Sequence, residues 1–317
     1  MAQGYGFGKV ILFNEHFVVY GVPAIASALD QKIVATVKAS DGEGVILNDE
    51  RKVTTGRKLD QQKESLDRII KAIGIDPNRN PIKITLGGDL TVAGGVGASA
   101  ASCVAITRAL SEYFALKLSD EDINNIAYEG EKGYHGTPSG IDNTVATYGG
   151  LIWFKRGTPN IFEPIRIKEP FELVIGNTGI TTDTKAAVEG VRKRREENPE
   201  KYATIFRAAE KVVYEARKAL EAADLRLLGR LMCENHKLLQ AAEVSCKELD
   251  FLVDLALEHG AFGAKLTGSG LGGSMIALTP GNALQERVAH AIKRAGFEVL
   301  KTRVGVKSWP QQRVESV

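Results

Sequence analysis

The sequence predicts an α+β protein of two lobes, and three observations carry that expectation. Its 317 residues exceed what one compact core usually holds. Strand-like and helix-like segments alternate irregularly, which suits α+β better than a doubly wound parallel sheet. Its 33 glycines gather in clusters between the periodic segments, where backbone must bend tightly or approach a ligand closely.

The elements follow in order. Val10 and Leu12, then Phe17, Val18 and Val19, precede a Tyr20–Gly21–Val22–Pro23 turn, and Ile25 onward runs to Val37, so residues 8–37 read as a hairpin. A polar helix is expected over 60–73 and a period-two strand at Ile82, Ile84 and Leu86. The glycine-rich stretch Gly94–Gly97 leads into a small-residue helix over 99–116. Ser119 followed by Asp120, Glu121 and Asp122 is a cap with an acidic first turn, opening a helix towards Lys132. After Gly149–Gly150, Leu151–Phe154 and Phe171–Ile175 read as strands. The lobe boundary falls between them, near 156–168, giving lobes at 1–165 and 166–317. The second lobe reads as largely helical, with apolar positions at three- and four-residue intervals over 184–197, 201–222, 224–241, 246–259 and 282–295. A second glycine segment, Ala264–Gly273, and a strand, Ser274–Leu278, lie between the last two.

Composition narrows the function classes. Hydrophobic residues at 44% and charged residues at 25% describe a folded globular chain. With 41 basic against 39 acidic side chains, nothing points to nucleic acid. The N-terminus lacks a basic region followed by a long apolar run, and no window approaches the ~18 apolar residues of a membrane span. A cytoplasmic protein with no membrane partner is therefore expected. Cys103, Cys233 and Cys246 have no CxxC spacing and read as reduced thiols. The five histidines are scattered without HExxH, which argues against zinc, and no GxSxG elbow follows a strand. A homodimer is left open.

Four segments could carry chemistry. Gly94, Gly95, Val96, Gly97, Ala98, Ser99 and Ala100 lie between a strand and a helix, where unpaired N–H groups and the positive end of a helix dipole make a phosphate cradle. It is neither a Walker A loop nor a GxGxxG turn. The segment from Glu129 to Asn143, EGEKGYHGTPSGIDN, delivers Asp142 in a tight turn, as a base or a metal ligand, with Glu131 eleven residues before it. Lys9, Glu15 and His16 lie within eight residues beside the hairpin. The second glycine loop, Lys265 to Gly273, could wall the same ligand as the first.

Taken together and in this order, the segments resemble the GHMP kinases, which place an N-terminal motif, a central glycine-serine phosphate loop and a C-terminal KxxGxGxGG loop around ATP. The central loop here reads GGVGASAA, with Ala98 where many members carry the first of two serines, and the C-terminal loop reads KLTGSGLGGS. The resemblance implies a two-lobed α+β GHMP kinase-like fold with the active site between the lobes. GKVILFNEHFVVYG and HGTPSGIDNT are similar to the branch of the family that phosphorylates mevalonate, with Asn14 where a glycine is usual. It implies ATP and Mg2+ as cofactors, Asp142 and Lys9 as catalytic residues, and Ser99 and Glu131 as magnesium ligands. It also implies Glu15, His16, Ser139 and Thr184 at the substrate. His16 can donate to the carboxylate or the tertiary hydroxyl of mevalonate, and as a cation it would suit the carboxylate. Other small hydroxylated substrates, such as phosphomevalonate, a sugar or homoserine, remain alternatives. A catalytically inactive binding protein would be expected to lack Lys9, Asp142 or Glu131, and all three are present.

Overall fold

The computed structural model describes residues 1–51, 59–90, 95–136, 138–182 and 184–305. The chain forms two compact units that interleave in sequence: Met1–Lys9 with Ala28–Gly149, and Val10–Ser27 with Gly150–Val317. The fold is α+β.

The elements of the first half are β1 (Ala2–Phe13), β2 (Ala24–Ala39), β3 (Val45–Asp49), α1 (Leu59–Ile73), β4 (Ile82–Gly88), α2 (Ala98–Tyr113), α3 (Asp120–His135) and α4 (Ile141–Tyr148). Within the first unit β2 pairs antiparallel with β4, from Ile33↔Gly88 to Ala39↔Ile82, and β3 adds in parallel to β4. Ile33, Ile82, Ile84 and Leu86 are fully buried, as the alternating pattern requires of a sheet with one covered face. The Gly4–Gly6 spacing has a packing origin. A Cβ on Gly6 would stand 2.2 Å from the Ala101 carbonyl oxygen and one on Gly4 2.4 Å from that of Ala105, so only glycine lets β1 lie this close to α2. Arg108 of α2 fixes the flanking elements, donating to the Tyr5 carbonyl of β1 at 2.9 Å and the Thr147 carbonyl of α4 at 2.8 Å. Ser119 and Asp122 form a reciprocal capping box at the start of α3.

The second half contributes β5 (Leu151–Lys155), β6 (Ile161–Ile165), β7 (Phe171–Asn177), α5 (Thr184–Glu197), α6 (Pro199–Ala222), α7 (Leu225–Ala241), α8 (Lys247–Glu258), β8 (Gly263–Thr267), β9 (Ser274–Leu278), α9 (Asn282–Arg294) and β10 (Glu298–Val304). In the second unit β7 is flanked antiparallel by β10 and β9, and β9 pairs with β8. Ala24–Ser27 of β2 pair with β5, which pairs with β6. Tyr202, Leu239, Leu252, Leu266 and Ile292 fill a core against which Phe17 is completely buried.

Three local expectations change. Phe17–Tyr20 form a single 3-10 turn rather than strand, ended by Gly21 at φ 84°. The glycine-rich turn before Asp142 continues as a two-turn helix, α4, because Gly140 at φ 87° starts it and Ile141, Val145 and Ala146 bury one side. Beside the expected strands at β5, β7 and β9, the described residues of the second half add β6, β8 and β10. Among the described residues no helix is long and apolar enough to cross a membrane.

Candidate active site

In the first unit the glycine loop is stitched to β1. The Lys9 amide donates to the Val96 carbonyl at 2.8 Å, and Gly97, at φ 70°, caps α2 without a side chain. A Cβ on Gly97 would stand 3.0 Å from the Lys9 Cβ, in a conformation that L-residues rarely adopt, so glycine is required twice over. The Ala98, Ser99 and Ala100 N–H groups begin α2, where no intrahelical acceptor exists for them. The turn is braced from behind: Ser102 donates to the Ala98 carbonyl at 2.6 Å and accepts from buried Arg51 at 2.6 Å. The Asp49 carboxylate grips that guanidinium; although burial opposes the charge, hydrogen bonds from Arg51 and Gln62 hold its pKa down at about 2. Gly94, the first residue expected in the loop, lies outside the described residues.

Lys9 emerges beside this loop, and its ammonium stands 2.9 Å from the Asp142 carboxylate in the first turn of α4. Lys9 is almost fully buried while Asp142 keeps 29% of its side chain exposed, so the carboxylate is the partner open to a ligand. Glu131, on the last turns of α3, is 1% exposed. Burial pushes its pKa up to about 8, with the Asp142 charge adding to the shift, while a hydrogen bond from Ser99 and the Lys9 charge work against it. His135, not anticipated among the site residues, lies 3.3 Å from the Ser99 hydroxyl and 4.0 Å from the Glu131 carboxylate. Its signal was the histidine opening HGTPSG. Ser139 accepts from the Ile141 amide at 3.4 Å, ahead of α4. Among the described residues no group of three or more His, Cys, Asp or Glu stands together as a metal cage. Ser99 and Glu131 nonetheless offer two hard oxygen donors, of the kind a magnesium ion takes alongside phosphate and water.

The second unit gathers the other expected residues. Asn14 sits at φ 71°, a conformation that glycine or asparagine adopts, which gives the departure at this position its physical reason. Its side chain donates to the Pro23 carbonyl at 2.8 Å and accepts from Asn235 at 2.8 Å. The Glu15 carboxylate is paired with the fully buried ammonium of Lys265, which also donates to the Leu266 carbonyl at 2.6 Å. Burial drives the Lys265 pKa down and the Glu15 charge opposes that shift. His236 accepts the Leu266 amide at Nδ1, 3.3 Å away, and burial, followed by the charge of Lys265, lowers its pKa to about 4.

His16, 3% exposed, places Nε2 2.7 Å from the Ser269 carbonyl of the second glycine loop. Burial lowers its pKa, and the charges of Arg194 and Lys265 add to the effect against the Ser269 bond. Burial thus works against the cationic form that would suit a carboxylate. Thr184 opens α5 and is exposed. Thr182, two residues earlier, is half-buried and shares a 2.7 Å hydrogen bond with the Ser269 hydroxyl. The second glycine loop thus meets His16, with Lys265 at its base on Glu15. Neither link is visible in the sequence, where the partners lie 253 and 250 positions apart.

Ser99, Glu131 and Asp142 of the first constellation and Lys265 and Ser269 of the second fall in segments matched by one kinase class, and the chain belongs to the GHMP kinase family: the N-terminal domain of GHMP kinases matches residues 62–150 and the C-terminal one residues 216–298. Within that family it is similar to curated mevalonate kinases. That of Pyrococcus horikoshii is 39% identical over 93% of each chain. The crystal structure of L. major mevalonate kinase in complex with R-mevalonate superposes with a TM-score of 0.92 at 36% identity, covering 96% of each chain. That of the Methanococcus jannaschii mevalonate kinase gives 0.82 at 26% identity, over 95% of this chain and 98% of the other.

Proposed function

We propose that the chain is a mevalonate kinase, transferring the γ-phosphoryl group of ATP to the C5 hydroxyl of mevalonate to give 5-phosphomevalonate and ADP. The Lys9–Asp142 ion pair beside the glycine loop carries the phosphoryl-transfer reading. The identity to named mevalonate kinases supports the choice of substrate.

Phosphoryl transfer asks a protein for positioning and charge stabilisation rather than covalent chemistry. Asp142 accepts the proton of the C5 hydroxyl as the oxygen–phosphorus bond forms and the bond to the β-phosphate oxygen breaks. Lys9, 2.9 Å from that carboxylate, stabilises charge on the attacking oxygen. The Gly95–Gly97 backbone and the first N–H groups of α2 hold the phosphate chain. Ser99 and Glu131 would hold a magnesium ion, and the buried carboxylate with its raised pKa is the group that a cation would restore to charge. Bound there, the ion would neutralise charge on the β- and γ-phosphates. Glu15, His16 and Ser139 are assigned to mevalonate, and Thr182 joins them through Ser269.

ADP release measured with mevalonate, galactose, homoserine or no acceptor tests the reading. Mevalonate-dependent release is expected. Turnover of galactose or homoserine with none of mevalonate would leave only the family assignment.

A further inference from the structure

His16 carries one proton in a place where the fold leaves no choice of nitrogen. Its Nε2 is 2.7 Å from the Ser269 carbonyl oxygen, which can only accept, so Nε2 bears the hydrogen. In the neutral ring Nδ1 is then a bare acceptor. It is buried, and it meets no hydrogen-bond partner among the described residues. A second proton would have to enter against burial and against two cations, Arg194 of α5 and Lys265 of β8, with the paired Glu15 adjacent in the chain. The carbonyl that sets the tautomer is itself held in place. The Ser269 hydroxyl bonds Thr182 at 2.7 Å, the Leu271 amide bonds the Val244 carbonyl at 2.9 Å, and the Gly273 amide bonds the Ile180 carbonyl at 2.9 Å.

A buried acceptor without a partner costs free energy that a donor from a ligand would recover. We propose that His16 is a neutral acceptor for the non-reacting hydroxyl of the substrate, with the second glycine loop as the element that fixes its tautomer. This rests on the mevalonate reading. Mevalonate's carboxylate, ionised at neutral pH, has no proton to donate. Only the two hydroxyls can, and the C5 hydroxyl is the one that reacts. The C3 tertiary hydroxyl remains.

Two variants separate the nitrogens. His16→Gln keeps a donor that can reach the Ser269 carbonyl and removes the Nδ1 acceptor. His16→Asn keeps an acceptor near Nδ1 and removes the Ser269 bond. With mevalonate and its 3-deoxy analogue, 5-hydroxy-3-methylpentanoate, the wild-type chain should favour mevalonate by at least roughly tenfold in kcat/KM. His16→Gln should bring that ratio close to one, and His16→Asn should keep part of it. The wild-type KM for mevalonate should stay flat between about pH 6.5 and 8.5. In the ligand-free chain labelled with 15N-histidine, the signal lost in His16→Gln should show a protonated Nε2 and a bare Nδ1 that shifts when mevalonate is added.

Equal losses for both substrates in His16→Gln, or a mevalonate KM that climbs with pH through a histidine titration, would overturn the proposal in favour of a carboxylate contact. A doubly protonated or Nδ1–H ring at neutral pH would overturn it directly. If the wild-type chain turns over neither substrate, the mevalonate reading fails and the hydroxyl assignment with it. The nitrogen spectrum still decides the tautomer on its own.

Discussion

The Lys9 ammonium lies 2.9 Å from the Asp142 carboxylate, joining the strand that enters the first unit to the first turn of a short helix 133 positions later. The pair holds the carboxylate proposed as proton acceptor against a fixed positive charge, and the carboxylate keeps the solvent-facing side. Asp142→Asn preserves shape and removes the base. A fall in kcat of roughly 100-fold or more is expected, with KM for ATP little changed. Near wild-type turnover in a steady-state ADP assay would remove Asp142 from the chemistry.

Glu131 makes a prediction with a definite sign. Its pKa is raised from 4.5 to about 8 in the folded chain, so between those values the native state binds a proton that the unfolded state has released. Stability is fully present below 4.5 and is lost as pH rises through 8, by at most about 1.4 kcal/mol per pH unit. Glu131→Gln stays neutral, so the difference between wild-type and variant denaturation curves should carry that slope. A difference that does not vary with pH would contradict the buried, protonated carboxylate.

The same proton would compete with a cation. A magnesium ion held by Glu131 as proposed would need the carboxylate, so the magnesium needed to saturate ATP binding should fall as pH rises towards 8 and then level off. Glu131→Gln and Ser99→Ala should each raise that requirement, and Glu131→Gln should also flatten its pH dependence. Titration calorimetry of magnesium and a non-hydrolysable ATP analogue reads this without turnover. An unchanged magnesium requirement in both variants would place the metal elsewhere.

Much of this was legible in sequence because the motifs are local. Lys9, the loop from Gly95 to Ala100, Glu131 and Asp142 each sit in a short segment whose composition announces a tight turn or helix start. Their meeting required only that β1 lie against α2, which Gly4 and Gly6 permit. The rest depends on tertiary pairing. Val10–Ser27 belongs to the second unit because Ala24–Ser27 pair with β5, a register that no local pattern encodes. Lys265 reads as one more residue of a glycine loop until Glu15 is found beside its ammonium. The helix α4 was hidden by the density of Gly, Pro and Ser in front of it, which is its start signal rather than its interior.

The Glu15–Lys265 pair is buried on both sides, which makes it costly to break and cheap to replace. Lys265→Met alone strands the Glu15 carboxylate in the interior and should destabilise the chain by about 3–5 kcal/mol. The double variant Glu15→Gln, Lys265→Met removes both charges and should recover most of that loss in a urea denaturation. If Glu15 also serves mevalonate, its KM should remain raised in the refolded double variant. Recovery of stability and KM together would make the pair structural only.

Thr182 and Thr184 separate the residue reached by sequence from the residue reached by geometry. Thr184 is exposed at the first position of α5. Thr182 bonds the Ser269 hydroxyl at 2.7 Å, and the Ser269 carbonyl sets the proton on His16. Removing the Thr182 hydroxyl frees a loop that bears directly on His16, at a cost of about 1 kcal/mol in hydrogen bonding. Thr182→Val should therefore raise the mevalonate KM several-fold and leave KM for ATP nearly unchanged. Thr184→Val, altering an exposed helix end, should change either constant by less than roughly twofold. A larger effect from Thr184→Val than from Thr182→Val on the mevalonate KM would return the role to Thr184 and detach the second glycine loop from the substrate.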